Sequence, residues 1–233
     1  MSRLPEFAVV IPCKNEAKNI AELIPEIIRT LSGENVEFVI VDDGSTDETA
    51  EVVRKLSADH MKIRCVTHNQ TLGKSAAILA GVRSTSAPVI VTMDGDGQND
   101  PRHIRPLLAL VREEGVGLAA GQRVAYAHSR TKRFSSRIAN RVRALVLGDN
   151  TWDTACGLKA FPREVFLRLP FFDGMHRFLP ALIMAEGYAL RHLEVTDRPR
   201  RHGKSHYGVI DRAIAGGIDL FRVWWLIRRP RKN

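Results

Sequence analysis

Short apolar runs alternate with amphipathic stretches through the first hundred residues. Phe7-Ala8-Val9-Val10-Ile11 is unbroken, ends at Pro12, and reads as a strand buried on both faces. Apolar positions then recur at Ile20, Leu23, Ile24, Ile27, Ile28 and Leu31, the spacing of one helix face, and Gly33 closes the pattern. Glu37 to Val41 repeats the strand and runs into Asp42-Asp43-Gly44-Ser45-Thr46-Asp47, where Ser45 or Thr46 is placed to cap a helix through Ala50, Val53 and Leu56. Ile63 to Val66 predicts a third strand, Lys74 to Gly81 a third helix, and Pro88 to Thr92 a fourth strand. This alternation implies right-handed crossovers and an α/β fold, a mostly parallel twisted sheet flanked by helices.

Beyond Gly121 the pattern is less regular. Arg130 to Arg143 reads as a basic helix with Ile138, Val142, Leu145 and Val146 on one side, ended by Gly148-Asp149-Asn150. Pro180 to Gly187 predicts a short helix, Leu193-Glu194-Val195 a strand, and Arg198 to Gly208 a basic loop containing glycine. Ile210, Ile214, Ile218, Phe221 and Trp225 then fall near helical spacing, and Arg228-Arg229-Pro230-Arg231-Lys232 follows directly. An apolar stripe with tryptophans and a basic tail fits an interfacial helix on an anionic membrane. Residues 1–208 are therefore expected to form one domain, and 209–233 an amphipathic, basic, membrane-associating segment.

The whole-chain properties narrow the options without choosing among them. No stretch approaches the ~20 apolar residues that a membrane-spanning helix needs. The start, Met1 to Glu6, has no apolar core of a secretory signal. Cys13, Cys65 and Cys156 are odd in number and far apart, so neither a disulfide framework nor a zinc site is expected, and the cytoplasm suits the chain. With 35 Lys and Arg against 26 Asp and Glu the net charge is +9, which favours a polyanionic partner. Arginines crowd Arg123 to Arg143 and Arg198 to Lys232, so the basic character belongs to the second half.

Candidate chemistry gathers at strand ends. Asp94, Asp96 and Gln98 alternate directly after the fourth strand, and alternate residues of an extended segment point the same way. Hard oxygen ligands of this kind suit Mg²⁺ or Mn²⁺, with substrate phosphates completing the shell. Pro12 to Glu16 follows the first strand and Asp42-Asp43 the second, so three segments deliver polar groups to the rim where such sheets bind ligands. Calcium of the EF-hand type is excluded, because position twelve counted from Asp94 is Arg105. A glycine-rich dinucleotide loop is absent after the first strand, and Gly73-Lys74-Ser75 lacks the earlier glycine of a Walker loop, His68 standing there.

Val10-Ile11-Pro12-x-x-Asn15-Glu16, Val41-Asp42-Asp43-Gly44-Ser45-x-Asp47, Gly73-Lys74-Ser75, Asp94-x-Asp96-x-Gln98, Gly121-x-Arg123, Cys156-Gly157-Leu158-Lys159 and Arg200-x-x-Gly203-x-Ser205-x-Tyr207 occur in that order. Together they resemble the glycosyltransferase family 2 enzymes, and within them the dolichol-phosphate mannose synthase branch, which glycosylates polyprenyl phosphates. The resemblance spans nearly the whole chain and is more specific for the family than for the sugar. It implies a GT-A fold, with a Rossmann-like nucleotide-binding half and an acceptor half, and inverting transfer from a GDP- or UDP-linked sugar. Pro12, Asn15, Glu16 and Asp42 match positions that hold base and ribose; Asp43, Lys74 and Ser205 join the substrate-binding set. Asp94, Asp96 and Gln98 match metal ligands, Asp94 also lying near the ribose. Arg123 matches an arginine facing the phosphates. Lys132 or Arg133 could reach the acceptor phosphate, and Asp153 lies where the family places an acid near the acceptor.

A lipid phosphate has a second pKa near ~6, so it is already an anionic nucleophile at neutral pH and needs no strong base. The enzyme's tasks are to hold two anions together and stabilise the departing diphosphate, which suit the metal, Arg123, Lys132 or Arg133, His176-Arg177 and Arg200. Asp153 would then orient rather than deprotonate. Two departures from the family stand out: Ser205-His206-Tyr207 replaces the usual Ser-Lys-Tyr, and no transmembrane helix of the kind that often follows is expected in this sequence. The expected protein is a cytoplasmic enzyme, peripheral on the inner face of the membrane, with an integral membrane protein as a candidate partner. The competing readings are a saccharide hydroxyl acceptor, or a non-catalytic basic module for lipid or RNA. The acidic rim of Asp42, Asp43, Asp94 and Asp96 argues against nucleic acid.

Overall fold

The computed structural model describes residues 4–125, 143–200, 202 and 209–228, with the backbone alone at 125 and over 209–218. Lys132, Arg133, Ser205, the 130–142 part of the basic helix and the tail beyond Arg228 lie outside the described residues.

Four strands, β1 (Phe7–Cys13), β2 (Val36–Asp42), β3 (Ile63–Thr67) and β4 (Val89–Thr92), alternate with helices α1 (Ala17–Thr30), α2 (Thr49–Asp59) and α3 (Lys74–Ser84). Helix α4 (Ile104–Val111) leads to β5 (Val116–Ala125), and residues 143–147 form α5. Then come β6 (Lys159–Pro162), α6 (Arg163–Leu167), α7 (Leu179–Ala185), β7 (Ala189–Thr196) and α8 (Val209–Arg228). The strands form one sheet in the order β3-β2-β1-β4-β6-β5-β7. β6 runs antiparallel to both its neighbours, and the remaining pairs are parallel.

Alternate strand residues build two cores, because successive side chains point to opposite faces. Phe7, Val9 and Ile11 pack with Ile20, Leu23, Ile24 and Ile27 of α1 and Leu107 of α4. Ala8 and Val10 pack on the other face with Ile78 and Val82 of α3, Leu182 of α7 and Val223 of α8. Each fully buried aliphatic side chain of α1 contributes about 1.5–3 kcal/mol, which holds the loop before that helix against the sheet.

The structure departs from the sequence expectation at several elements. Helix α2 starts at Thr49, and neither Ser45 nor Thr46 caps it, because Asp47 accepts from the Thr49 N–H (3.0 Å) while Ser45 Oγ accepts from the Asn15 N–H (2.9 Å). The cap position is shifted because Ser45 stitches the loop after β2 to the loop after β1. In α5 Leu145 is exposed and Leu147 is buried in the core. β6 was not foreseen, and β7 is longer than Leu193 to Val195. Helix α8 is packed as well as amphipathic: Val223 is fully buried, while Phe221 and Trp225 are 67% and 44% exposed. Among the described residues no helix is long and apolar enough to cross a membrane.

Candidate active site

The chain goes outward from β1 through β2 to β3 and returns as β4 on the other side of β1. A crevice opens where the order reverses, at the carboxyl ends of β1 and β4. It is a cavity of about 380 Å³ lined by Pro12, Asn15, Glu16, Asp43, Lys74, Asp94, Asp96 and Arg200, with Cys13, Lys14, Ala77 and Gly95 between them. The fold thus joins, in one cleft, residues from five separate segments.

Opposite charges are paired across this cleft. Lys74 Nζ donates to Asp94 Oδ1 at 2.5 Å, and Arg200 donates to Asp96 Oδ2 at 2.9 Å and to Glu16 Oε1 at 3.3 Å. Asp94 and Asp96 do not extend the strand, as their alternation had suggested. β4 stops at Thr92, and the chain turns with Gly97 at φ 74°. The Asp94 N–H donates to Asn99 Oδ1 (3.0 Å) and the Gln98 N–H to Asp96 Oδ1 (3.1 Å), which fixes that turn. Gln98 is outside the cavity lining and faces Arg198, whose carbonyl accepts from its Nε2 at 3.4 Å. The structure therefore brings Asp94 and Asp96 together in the cavity but not Gln98.

Adjacent acids at the end of β2 divide their work. Asp42 is buried, accepts from the Ser45 N–H at 3.1 Å and does not line the cavity. Asp43 does line it, and its carboxylate accepts from His68 Nδ1 (2.8 Å), the Leu72 N–H (2.9 Å) and the Gly73 N–H (2.9 Å). Burial works to raise its pKa, but these hydrogen bonds prevail and hold it below the usual carboxylate range. Asp43 thereby shapes the loop that starts α3 and places Lys74.

A second group lies at the ends of β5 and β7. Arg123, near the end of β5, makes a bidentate pair with buried Asp153 (Nε to Oδ2 2.6 Å, Nη2 to Oδ1 2.8 Å) and reaches Asp197 Oδ2 with Nη1 at 3.1 Å. Asn99 donates to the other Asp197 oxygen at 3.1 Å, so the network runs back to the backbone of Asp94. His176 has its Nδ1 2.7 Å from Ser75 Oγ. Burial, then the charges of Lys74, Lys159 and Arg177, push its pKa well below the ordinary value, so it is neutral at pH 7. The expected phosphate-binding cation at His176 is thus a neutral side chain packed on α3. Burial raises the pKa of Asp219 in α8 overall, with Arg177 and then Arg222 acting against that rise.

Sequence reasoning gave no role to Asn99, Asp197 or Lys159. Lys159 opens β6, is buried, and donates from Nζ to the carbonyls of Thr154 (3.1 Å) and Cys156. The signal available for it was its place in Cys156-Gly157-Leu158-Lys159.

Two carboxylates converging in a cavity that also holds two cations is a donor set that fits a divalent ion shared with phosphate oxygens. Among the described residues no cluster of three or more His, Cys, Asp or Glu could hold an ion alone. Residues 8–169 match glycosyl transferase family 2. The chain belongs to this family. Its match to the dodecaprenyl-phosphate galacturonate synthase of Rhizobium johnstonii is 29% identical over 96% of this chain and 68% of that one. The undecaprenyl-phosphate 4-deoxy-4-formamido-L-arabinose transferase of Edwardsiella ictaluri is 30% identical over 87% of this chain and 63% of its own length. The chain thus spans about two thirds of these family relatives. A mannosyltransferase from Pyrobaculum calidifontis, solved with GDP-mannose and Mn²⁺, superposes with a TM-score of 0.70 at 22% identity, over 100% of this chain and 67% of that one. Glucosyl-3-phosphoglycerate synthase from Mycobacterium tuberculosis, solved with Mn²⁺, UDP and glucosyl-3-phosphoglycerate, does so at 0.69 and 22% identity, over 96% of this chain and 80% of that one. The family fold, GT-A, is shared with both.

Proposed function

We propose that this chain is an inverting glycosyltransferase that moves a sugar from a GDP- or UDP-linked donor to a polyprenyl phosphate, giving a polyprenyl-phospho-sugar and a nucleoside diphosphate. The observation that carries this reading is the cavity at the switch point, where Asp94 and Asp96 meet Lys74 and Arg200. The acceptor class is supported by the relatives, one named for dodecaprenyl phosphate and the other for undecaprenyl phosphate. Metal and donor class are supported by fold neighbours solved with Mn²⁺ and UDP or GDP-mannose.

In this mechanism Pro12, Asn15 and Glu16 line the donor end of the cleft and hold base and ribose. Asp94 and Asp96 would hold Mg²⁺ or Mn²⁺, and the bound ion would supply charge neutralisation for a departing diphosphate. Lys74 and Arg200 serve the same anions, each already placed within hydrogen-bond distance of one of those carboxylates. Both Asp153 oxygens accept from Arg123, so Asp153 orients that arginine toward the acceptor side rather than taking a proton. No base is needed, because a phosphate monoester with a second pKa near ~6 is ionised at pH 7. Lys132 or Arg133 and Arg177 complete the acceptor phosphate site in this reading, and Ser205 stays in the substrate-binding set.

The acceptor also places the protein at a membrane surface. Phe221 and Trp225 project from α8, and the basic Arg228 to Lys232 follows, which supports peripheral attachment to an anionic membrane surface. Incubation with UDP- and GDP-sugars, Mn²⁺ and either short-chain polyprenyl phosphates or saccharide acceptors tests the reading by mass spectrometry. Sugar on the lipid phosphate is expected; sugar on saccharide hydroxyls alone would replace it with the saccharide reading.

A further inference from the structure

Lys159 is the one buried lysine among the described residues, and the mechanism above does not use it. It lies in the middle of the sheet, opposite Thr92 of β4 and Ala120 of β5. Its acceptors are two neutral carbonyls, Thr154 and Cys156; among the described residues it has no carboxylate within ion-pair distance. Removing an ammonium from water costs several kcal/mol unless other interactions offset it. Burial accordingly lowers its pKa to about 8, with Lys74 acting in the same direction and Asp94 and Asp153 against it. A costly charge in that position calls for a reason.

The geometry supplies one. Both carbonyls belong to the turn 154–157, and Thr92 Oγ1 holds the same turn from its other side by donating to the Gly157 carbonyl at 2.7 Å. Gly157 is the floor beneath Asp94: a Cβ there would fall on the Asp94 carboxylate. Just before the turn stands Asp153, which grips Arg123. One ammonium thus fixes the backbone between the donor-side carboxylate and the acceptor-side arginine.

We propose that Lys159 is a positioning residue, whose ammonium clamps the turn 154–157 under Asp94 and keeps positive charge beneath the diphosphate pocket. It acts through Asp94 and touches neither substrate nor metal. This rests on the function proposed above.

The test is calorimetric titration of the full chain with UDP and, separately, GDP in the presence of Mn²⁺, together with a melting curve for each variant. Lys159→Met removes charge and donors at similar length, and Lys159→Gln keeps a donor without the charge. Each is expected to weaken binding of the metal-bound nucleotide, Lys159→Met by about 10–100-fold, the usual effect of losing a group that supports a ligand. Thr92→Val, which frees the turn from its other side, should shift the affinity in the same direction. A folded Lys159→Met that binds within twofold of wild type, with or without a lower Tm, overturns the proposal. Failure of both Lys159 variants to fold assigns the residue to folding alone and overturns it too. Wild-type protein that binds neither nucleotide with Mn²⁺ instead refutes the function on which the proposal rests.

Discussion

Replacing Gly157 with alanine separates the site from the scaffold. The new Cβ would occupy the space of the Asp94 carboxylate, but Gly157 is not among the residues of positive φ, so its backbone accepts alanine. The carboxylate is the free end of a short side chain and gives way before the sheet does. Its displacement breaks the Lys74 pair, whose side chains are 31% and 27% exposed, a pair of the kind worth about 1 kcal/mol or less. For a domain of this size that corresponds to a fall in Tm of roughly 2–4 °C. Catalysis should suffer far more, since a shift of about 1 Å in a group that positions the reaction costs on the order of 10²-fold. The assay pairs a melting curve with initial rates of sugar transfer to polyprenyl phosphate. A rate within about threefold of wild type would refute the claim that Gly157 seats a working Asp94.

Three further expectations follow from the same geometry. Asp96→Ala removes one carboxylate from the cavity and should abolish metal-dependent transfer while leaving the circular dichroism spectrum unchanged; turnover at the normal rate would remove Asp96 from the metal site. Phe221→Ser combined with Trp225→Ser alters two exposed side chains of α8 and should reduce co-flotation with anionic vesicles at a temperature where the variant is still folded, its Tm lowered only by lost contacts such as the Phe221–Trp224 stack, whereas deleting the helix would also remove buried Val223. His176 has a folded-state pKa well below 6.5, so the unfolded chain takes up the proton first and stability falls as pH drops below 6.5. Urea melts between pH 7.5 and 5.5 should show this loss, and His176→Gln should flatten it; an unchanged slope would place the pH dependence elsewhere.

The first half of the fold was legible because β1, β2 and β4 are short apolar runs buried on both faces, a pattern that parallel sheets impose. Helix α1 was equally plain, its apolar positions lying on one face. β6 was not legible, because Lys159-Ala160-Phe161-Pro162 is four residues with no alternation, and only pairing between β4 and β5 makes it a strand. The chemistry at Asp94 and Asp96 could be read from residue type, yet the extended geometry assigned to it fails at the turn around Gly97. Whether Asp42 or Asp43 faces the cleft depends on where β2 ends, and strand ends are poorly marked in sequence. Arg123, Asp153 and Asp197 meet across separations that only the folded sheet defines. α8 shows both kinds of signal: its exposed stripe at Phe221 and Trp225 was visible, and its second stripe against the core was not.

The most direct measurement is a crystal structure of the chain grown with Mn²⁺ and the nucleoside diphosphate that binds better. The account predicts the ion held by the Asp94 and Asp96 carboxylates together with diphosphate oxygens, with Lys74 and Arg200 turned from the carboxylates to the diphosphate. Nucleotide bound elsewhere, or bound in this cavity with both ion pairs intact and no metal at the carboxylates, would contradict it.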